Sequence, residues 1–281
     1  DKQVHSHQTP PAILLMANND FTVPVATNGL RYYEALLKAG ISASLHIYPS
    51  GGHGFGFRTR YQYHKQMKQD LSSWLSNLKA PKAHAVRIAC IGNSITDGFG
   101  LNMRTEQGYP ALLQHFLGSD YHVKNFGVSS RTMLNKGDHP YMKEQAWREA
   151  LEFRPNIAII KLGTNDSKTD NWQHGAEFEH DMQQMVDSLL ALDSRPEIFI
   201  CTPIPAFKPT WTINDSVITN GIVPIINKIA RRNGCQVIDL HTLYAPYGEL
   251  MLKDGIHPNE KGARKMAELI KESLTEGLEV Q

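Results

Sequence analysis

A serine, a histidine and an aspartate that meet in space can carry out acyl transfer, because the imidazole takes the hydroxyl proton and the carboxylate holds the ring in the right tautomer. Ser94, in "IGNSITDGFG", follows an apolar run directly and stands between Gly92 and Gly98, so its hydroxyl falls where a strand gives way to a loop. Asp254 and His257, in "DGIHPN", are three residues apart. On a tight turn that spacing lets the carboxylate accept from one ring nitrogen and leaves the other free for a serine proton. Asn165, in "LGTNDS", carries a neutral amide able to donate to an oxyanion, and Gly127, in "NFGVSSRT", has no side chain to keep its N–H from a bound ligand. Each residue also has an ordinary reading: Ser94 as a helix N-cap, Asn165 as a turn residue, "DGIHPN" as a capped helix start, Gly127 as the end of a strand.

A second histidine loop, "SGGHGFGF", places His53 after the strand-like run "ASLHIYP", and Asp20 lies upstream in "ANNDFTVPV". The chain contains no Gly-x-Ser-x-Gly, so His53 has no nucleophile elbow to serve within these residues. His5 and His7, in "HSHQ", could chelate, but no further ligands stand nearby in sequence. No metal or cofactor is expected. Cys90, Cys201 and Cys235 stand far apart without paired spacing and read as buried free thiols.

The elements that must position these residues follow from periodicity. Apolar runs "VRIACIG", "HVKNFGV", "NIAIIKLG", "EIFICTP" and "CQVIDL" alternate with stretches of helical period near 107–117, 141–153, 175–192, 216–232 and 259–276. That alternation predicts an α/β fold with a five-stranded parallel sheet covered by helices on both faces, and the crevice of such a sheet lies at the carboxyl ends of its strands. Residues 1–80 repeat the theme once: strand "AILLMA", helix "VATNGLRYYEALLKAG", strand "ASLHIYP" and a helix from Tyr61 to Leu78. Two strands and two helices are too few to close a layer around so apolar a strand. "LKAPKAHA" reads as a linker, dividing the chain into 1–80, a linker at 81–85 and a larger domain at 86–281.

The 281 residues are 41% hydrophobic with a formal charge of +1, so no strong field favours nucleic acid or an anionic membrane, and no apolar run is long enough to cross a bilayer. The expected ligand is small and neutral or mildly charged. Tyr109, Trp172, Phe207 and Trp211 lie in or near loops that could edge the crevice, with Trp172 and Trp211 the better candidates to stack on a sugar.

In order and spacing, "GNSITDG", "NFGVSS", "GTND" and "DGIHPN" resemble the four blocks of the SGNH, or GDSL-type, hydrolase superfamily, over about 86–277. The resemblance implies a three-layer flavodoxin-like fold, a catalytic Ser94 with His257 and Asp254, and an oxyanion hole of the Ser94 amide, Gly127 and Asn165. Asn93 stands where the usual motif has aspartate. Residues 9–79 resemble the carboxyl-terminal end of an α/β-hydrolase of the acetyl-esterase or prolyl-oligopeptidase-like kind, in which Asp20 and His53 would be the acid and the base. On that resemblance Asp1 is a truncation point, and the missing part of an α/β-hydrolase domain is the natural partner of 1–80. The alternative is a degenerate remnant kept as a flank. Both halves resemble esterases of acetylated polysaccharides, which implies a serine esterase for carbohydrate O-acetyl esters such as acetylxylan and a place outside the cytoplasm, secreted or periplasmic. A lysophospholipase or thioesterase of the same superfamily, or a non-catalytic sugar-binding module, are the competing functions.

Overall fold

The computed structural model describes residues 4, 9–56, 58–77 and 81–279. The chain divides into two compact units, one of residues 1–80 with 102–106 and one of 81–101 with 107–281. Residues 78–80 of the expected linker lie outside the described residues, as do His5 and His7.

In the larger unit the apolar runs form strands β3 (Val86–Gly92), β4 (Tyr121–Gly127), β5 (Ile157–Lys161), β6 (Glu197–Cys201) and β7 (Gln236–Ile238). They make one parallel sheet in the order β4-β3-β5-β6-β7. Neighbouring residues along β3, β5 and β6 serve opposite layers. Ala89, Ile91, Ala158, Ile160, Ile198 and Ile200 face one core, while Ile88, Cys90, Ile157, Ile159, Phe199 and Cys201 face the other. Both sets are apolar because both faces are covered, the reason these strands read as continuous runs rather than as alternating ones.

The first core is closed by α5 (Gln145–Glu152), α6 (Phe178–Leu190) and α7 (Val223–Asn233), which bring Trp147, Phe178, Met182, Met185, Ile226 and Ile229. The second is closed by α4 (Tyr109–Leu117) and α8 (Glu260–Glu279), through Tyr109, Leu113, Met266, Ile270 and Leu274. Burying one such side chain contributes about 1.5–3 kcal/mol before the entropy of ordering is counted. The result is the three-layer fold the pattern predicts. Because β3 pairs with β4 on one edge and β5 on the other, the crevice of this sheet opens between the carboxyl ends of β3 and β5.

Where 216–232 reads as one helix, the structure has a short helical turn at Asp215–Val217, a π turn at Ile218–Ile222 and then α7. Immediately after β3 comes a helix too short to leave a periodic signal, α3 (Ser94–Asp97).

The smaller unit holds parallel strands β1 (Ala12–Ala17) and β2 (Ala43–Tyr48), helix α1 (Gly29–Lys38) and helix α2 (His64–Asn77). Residues 25–28 turn rather than continue the helix; Asn28 donates to the Pro24 carbonyl from both its backbone and its side chain. Apolar though it is, β1 is only half-buried over Ala12–Met16. Among the described residues, no helix is long and apolar enough to cross a membrane.

Candidate active site

Chemistry concentrates where β3 and β5 end. The first helical residue after β3 is Ser94, and the cap ahead of it is Asn93, whose Oδ1 accepts from the Ile95 N–H at 3.2 Å. Asn93 therefore takes the capping role open to Ser94 in the sequence, which leaves the Ser94 hydroxyl uncommitted to the backbone. That hydroxyl lies 2.7 Å from Nε2 of His257. On the other side of the ring, Nδ1 lies 2.8 Å from Asp254 Oδ2, so Nδ1 carries the proton and Nε2 accepts from serine.

Asp254 is fixed by the turn itself. Its Oδ1 accepts from the N–H groups of Ile256, at 2.8 Å, and His257, at 3.0 Å, while its carbonyl accepts from Thr210 Oγ1 at 2.6 Å. Burial pushes the Asp254 carboxyl upward, but those two amides and the His257 ring outweigh it, and the group stays below the ordinary carboxylate value. For His257, burial is the largest influence and lowers its affinity for a proton. Asp254 restores part of it and the charge of Lys161 works with burial, for a net downward shift. A base lowered in this way rests neutral, as proton abstraction requires.

Asn165 opens a single 3-10 turn (Asn165–Ser167) after β5. Its Nδ2 donates to the Arg131 carbonyl at 3.1 Å, which uses one of its two hydrogens and leaves the other for the pocket. The next residue, Asp166, is fully buried and accepts from Met133 N–H at 3.0 Å and Leu134 N–H at 2.8 Å. Burial raises its pKa to about 6 against those bonds. Asp166 thus ties the loop after β4 to the turn that carries Asn165. The sequence points to Asn165 alone, because an aspartate beside it in a turn gives no sign of the loop it anchors.

Gly127 is not brought into the pocket. Its N–H donates to the Asn125 side chain at 2.8 Å, and a Cβ there would stand 2.3 Å from the Asp97 nitrogen, so the residue lies pressed beneath α3. The amide of a glycine after a strand is visible in sequence, but its partner two residues back is not. What β4's loop does present to the pocket is Ser130, in the left-handed region at φ +69°. No partner for its N–H occurs among the described residues. The conformation is held from both sides: Ser129 Oγ donates to Asp97 Oδ2 at 2.6 Å, and Arg131 donates to the Ser129 carbonyl at 2.8 Å and to Glu144 Oε1 at 3.0 Å.

The pocket has a volume of about 380 Å³ and is lined by Ser94, Ser129, Ser130, Asn165 and His257 among others. Phe99 and Trp211 pack on His257 with ring centroids 4.6 and 5.7 Å away, and Trp211 is 52% exposed. Of the four aromatic candidates only Trp211 lines this pocket. Tyr109 is buried with its hydroxyl 3.1 Å from Thr96 Oγ1, Trp172 lies against Gly175 and Gly221, and Phe207 packs on Gly248. Phe99 also lines the pocket, and nothing in the sequence marks it. On the polar wall Asp138 accepts from Asn171 at 3.0 Å and Lys168 at 3.1 Å. Among the described residues no group of three or more His, Cys, Asp or Glu could hold a metal ion.

In the smaller unit Nδ1 of His53 lies 3.1 Å from Asp20 Oδ2, and Asp20 Oδ1 accepts from Thr22 and Val23, each at 2.9 Å. Among the described residues histidine pairs with aspartate four times, at His257–Asp254, His53–Asp20, His46–Asp70 (3.5 Å) and His241–Asp215 (3.4 Å). Only that of His257 has a serine hydroxyl on its far nitrogen among the described residues.

Similarity to known proteins follows the same division. A family model described as prolyl oligopeptidase matches residues 2–79. The acetylxylan esterase of Xylanibacter ruminicola is 56% identical over 284 residues, which cover 95% of this chain; the chain spans 59% of that protein's length. Among solved structures, a lipase/acylhydrolase from Enterococcus faecalis is 21% identical, with a TM-score of 0.57 over 67% of this chain and 94% of its own. An acetyl xylan esterase, also 21% identical, has a TM-score of 0.55 over 67% of this chain and 100% of its own. At such identity these two share the fold. The larger unit is matched from Cys90 to Lys265 by the GDSL-like lipase/acylhydrolase family, whose model thus takes in Ser94, Asn165, Asp254 and His257, and to that family the chain belongs.

Proposed function

We propose that this chain is a serine esterase that hydrolyses O-acetyl esters on carbohydrate, acetylxylan or a related polysaccharide, through an acyl-enzyme on Ser94. The observation that carries the reading is the unbroken relay from Ser94 Oγ through His257 to Asp254, with links of 2.7 and 2.8 Å, whose serine and histidine line a pocket of about 380 Å³. Ser94 Oγ attacks the acetyl carbonyl as its proton passes to His257 Nε2. The sugar oxygen leaves with that proton; a water then gives its own to the same nitrogen, attacks the acyl carbon and releases acetate, and Ser94 recovers its proton. Negative charge on the tetrahedral oxygen is met by the second hydrogen of Asn165 Nδ2, by the Ser94 N–H, which as the first of its helix has no intrahelical partner, and by the N–H of Ser130 in place of Gly127. No metal takes part in these steps.

The 56% identity to an acetylxylan esterase supports acetate and xylan, and so does a pocket with a polar wall and one exposed indole on which a sugar ring can lie. A long-chain lysophospholipase or thioesterase would need a deep apolar groove instead. Acetate release from acetylated xylan, beside p-nitrophenyl esters of rising chain length, tests the proposal. Acetyl esters should be preferred, Ser94→Ala should lower turnover by about 10⁴-fold or more, and an organophosphonate should label Ser94 alone. Unlabelled protein would indicate a binding module, and faster turnover of long-chain esters would point to the lipase-type alternative.

The same reading treats residues 9–79 as the carboxyl-terminal part of an α/β-hydrolase-type domain. The half-buried apolar β1 and the ready Asp20–His53 pair support it.

A further inference from the structure

The segment that follows β6 grips the turn carrying the acid and the base. Three successive carbonyls of that turn accept from it: Lys253 from Lys208 Nζ at 2.9 Å, Asp254 from Thr210 Oγ1 at 2.6 Å, and Gly255 from the Phe207 N–H at 3.0 Å. The first two carbonyls belong to the planar peptides on either side of the Asp254 Cα, so holding both fixes the backbone dihedrals of that residue and the direction of its carboxylate. The approach is close. A Cβ on Gly255, which sits at φ +69°, would stand 2.7 Å from Lys208 Cγ and 3.0 Å from the Lys208 nitrogen. Of the two side-chain donors Lys208 is long and exposed, whereas Thr210 is short, and it is the only donor to the Asp254 carbonyl among the described residues.

The same segment reaches the turn that carries Asn165. Asn214 donates from its N–H to Ser167 Oγ at 3.1 Å, and that hydroxyl donates to the Thr164 carbonyl at 2.8 Å, directly before Asn165. Between these two attachments Trp211 and Thr212 both stand in the left-handed region, at φ +52° and +60°. Two successive non-glycine residues keep that conformation only where the chain on either side is tied down. Here it brings the indole edge-on to the ring of His257. We propose that residues 207–214 brace the base turn against the turn of Asn165, and that Thr210 is the positioning residue of the brace: its hydroxyl, by holding the Asp254 carbonyl, keeps the carboxylate on Nδ1 of His257 and thereby Nε2 on Ser94. The inference rests on His257 acting as the base.

The test compares the full chain with Thr210→Val, which keeps the shape and removes the hydroxyl, and with Thr210→Ser, which keeps the hydroxyl. Hydrolysis of p-nitrophenyl acetate, the proton resonance of His257 Nδ1–H and thermal unfolding are followed in all three. Thr210→Val should lower kcat by about tenfold or more with KM held within about threefold, and its Nδ1–H resonance should shift or broaden as the bond to Asp254 loosens. Thr210→Ser should keep kcat within about threefold and the resonance in place. Thr210→Ala serves if the valine variant does not fold. A folded variant without the hydroxyl that keeps either the wild-type resonance or the wild-type kcat overturns the inference, as does a serine variant that falls as far as the valine one. Because the resonance needs no turnover, it reads the inference separately from the esterase proposal: a signal disturbed in Thr210→Val and kept in Thr210→Ser, in a protein that hydrolyses no ester, leaves Thr210 its role and removes the function.

Discussion

Ser130 departs from what its residue type prefers. A non-glycine residue in the left-handed region is disfavoured by about 1–2 kcal/mol, and serine keeps that conformation here because the residues on either side are tied to Asp97, Glu144 and Asn165. What the pocket gains is an N–H with no partner among the described residues. If the amide and not the hydroxyl is what matters, Ser130→Gly keeps the function and removes the strain. We expect it to raise unfolding stability by roughly 0.5–1 kcal/mol with kcat changed less than about threefold. A denaturation curve and a kinetic run decide this, and a steep loss of kcat would mean that the hydroxyl itself touches substrate. The expectation that Gly127 supplies this donor fails for a local reason: Asn125, two residues earlier, accepts its N–H and also donates to the Thr96 carbonyl at 2.8 Å. No pattern of residue types reports a side chain folding back on its own strand.

The element that organises the site is α3, one turn of helix set across the ends of β3 and β4. It fits only because the strands beneath it end on residues without a Cβ. At Gly127 an added carbon would lie 2.3 Å from the Asp97 nitrogen and 2.6 Å from the Thr96 carbonyl carbon; at Gly92 it would lie 2.1 Å from Thr96 Oγ1. Those neighbours are backbone at Gly127, so α3 as a whole must move, and Ser94 moves with it. Gly127→Ala keeps its N–H yet should lower kcat/KM by about tenfold or more and destabilise the fold by roughly 1–3 kcal/mol. Wild-type kinetics in that variant would mean that α3 tolerates the displacement. Such a helix is too short to show a period, which is why the sequence marks Ser94 as a strand end and, beyond a serine able to cap a helix, gives no sign of the turn that carries it. Long elements were legible for the opposite reason. β3, β5 and β6 are buried on both faces and so are uniformly apolar, and α6 and α8 bury one stripe each. The break of 215–233 into a π turn and a helix was hidden, because Ile218, Ile222, Ile226 and Ile229 keep a helical spacing across it.

At the scale of the molecule, each catalytic candidate arrives on a different strand end or turn, and parallel pairing alone brings the ends of β3 and β5 side by side. Asp254 and His257 were readable as a pair because three residues of a tight turn join them; their meeting with Ser94 is a property of the fold, and four short motifs in the right order were what pointed to it. The larger unit covers both of its cores with its own helices, and among the described residues none before Pro81 enters either cluster. By contrast the smaller unit leaves β1 half-buried, with Phe21 91% exposed. A unit with complete cores should fold without its neighbour. A chain beginning at Pro81 is therefore expected to unfold in one cooperative transition and to hydrolyse p-nitrophenyl acetate with kcat/KM within about threefold of the full chain, while taking up one phosphonate at Ser94. Calorimetry and a progress curve decide it: an insoluble product, or a loss of about tenfold or more, would make the first 80 residues part of what holds the Ser94–His257–Asp254 relay together.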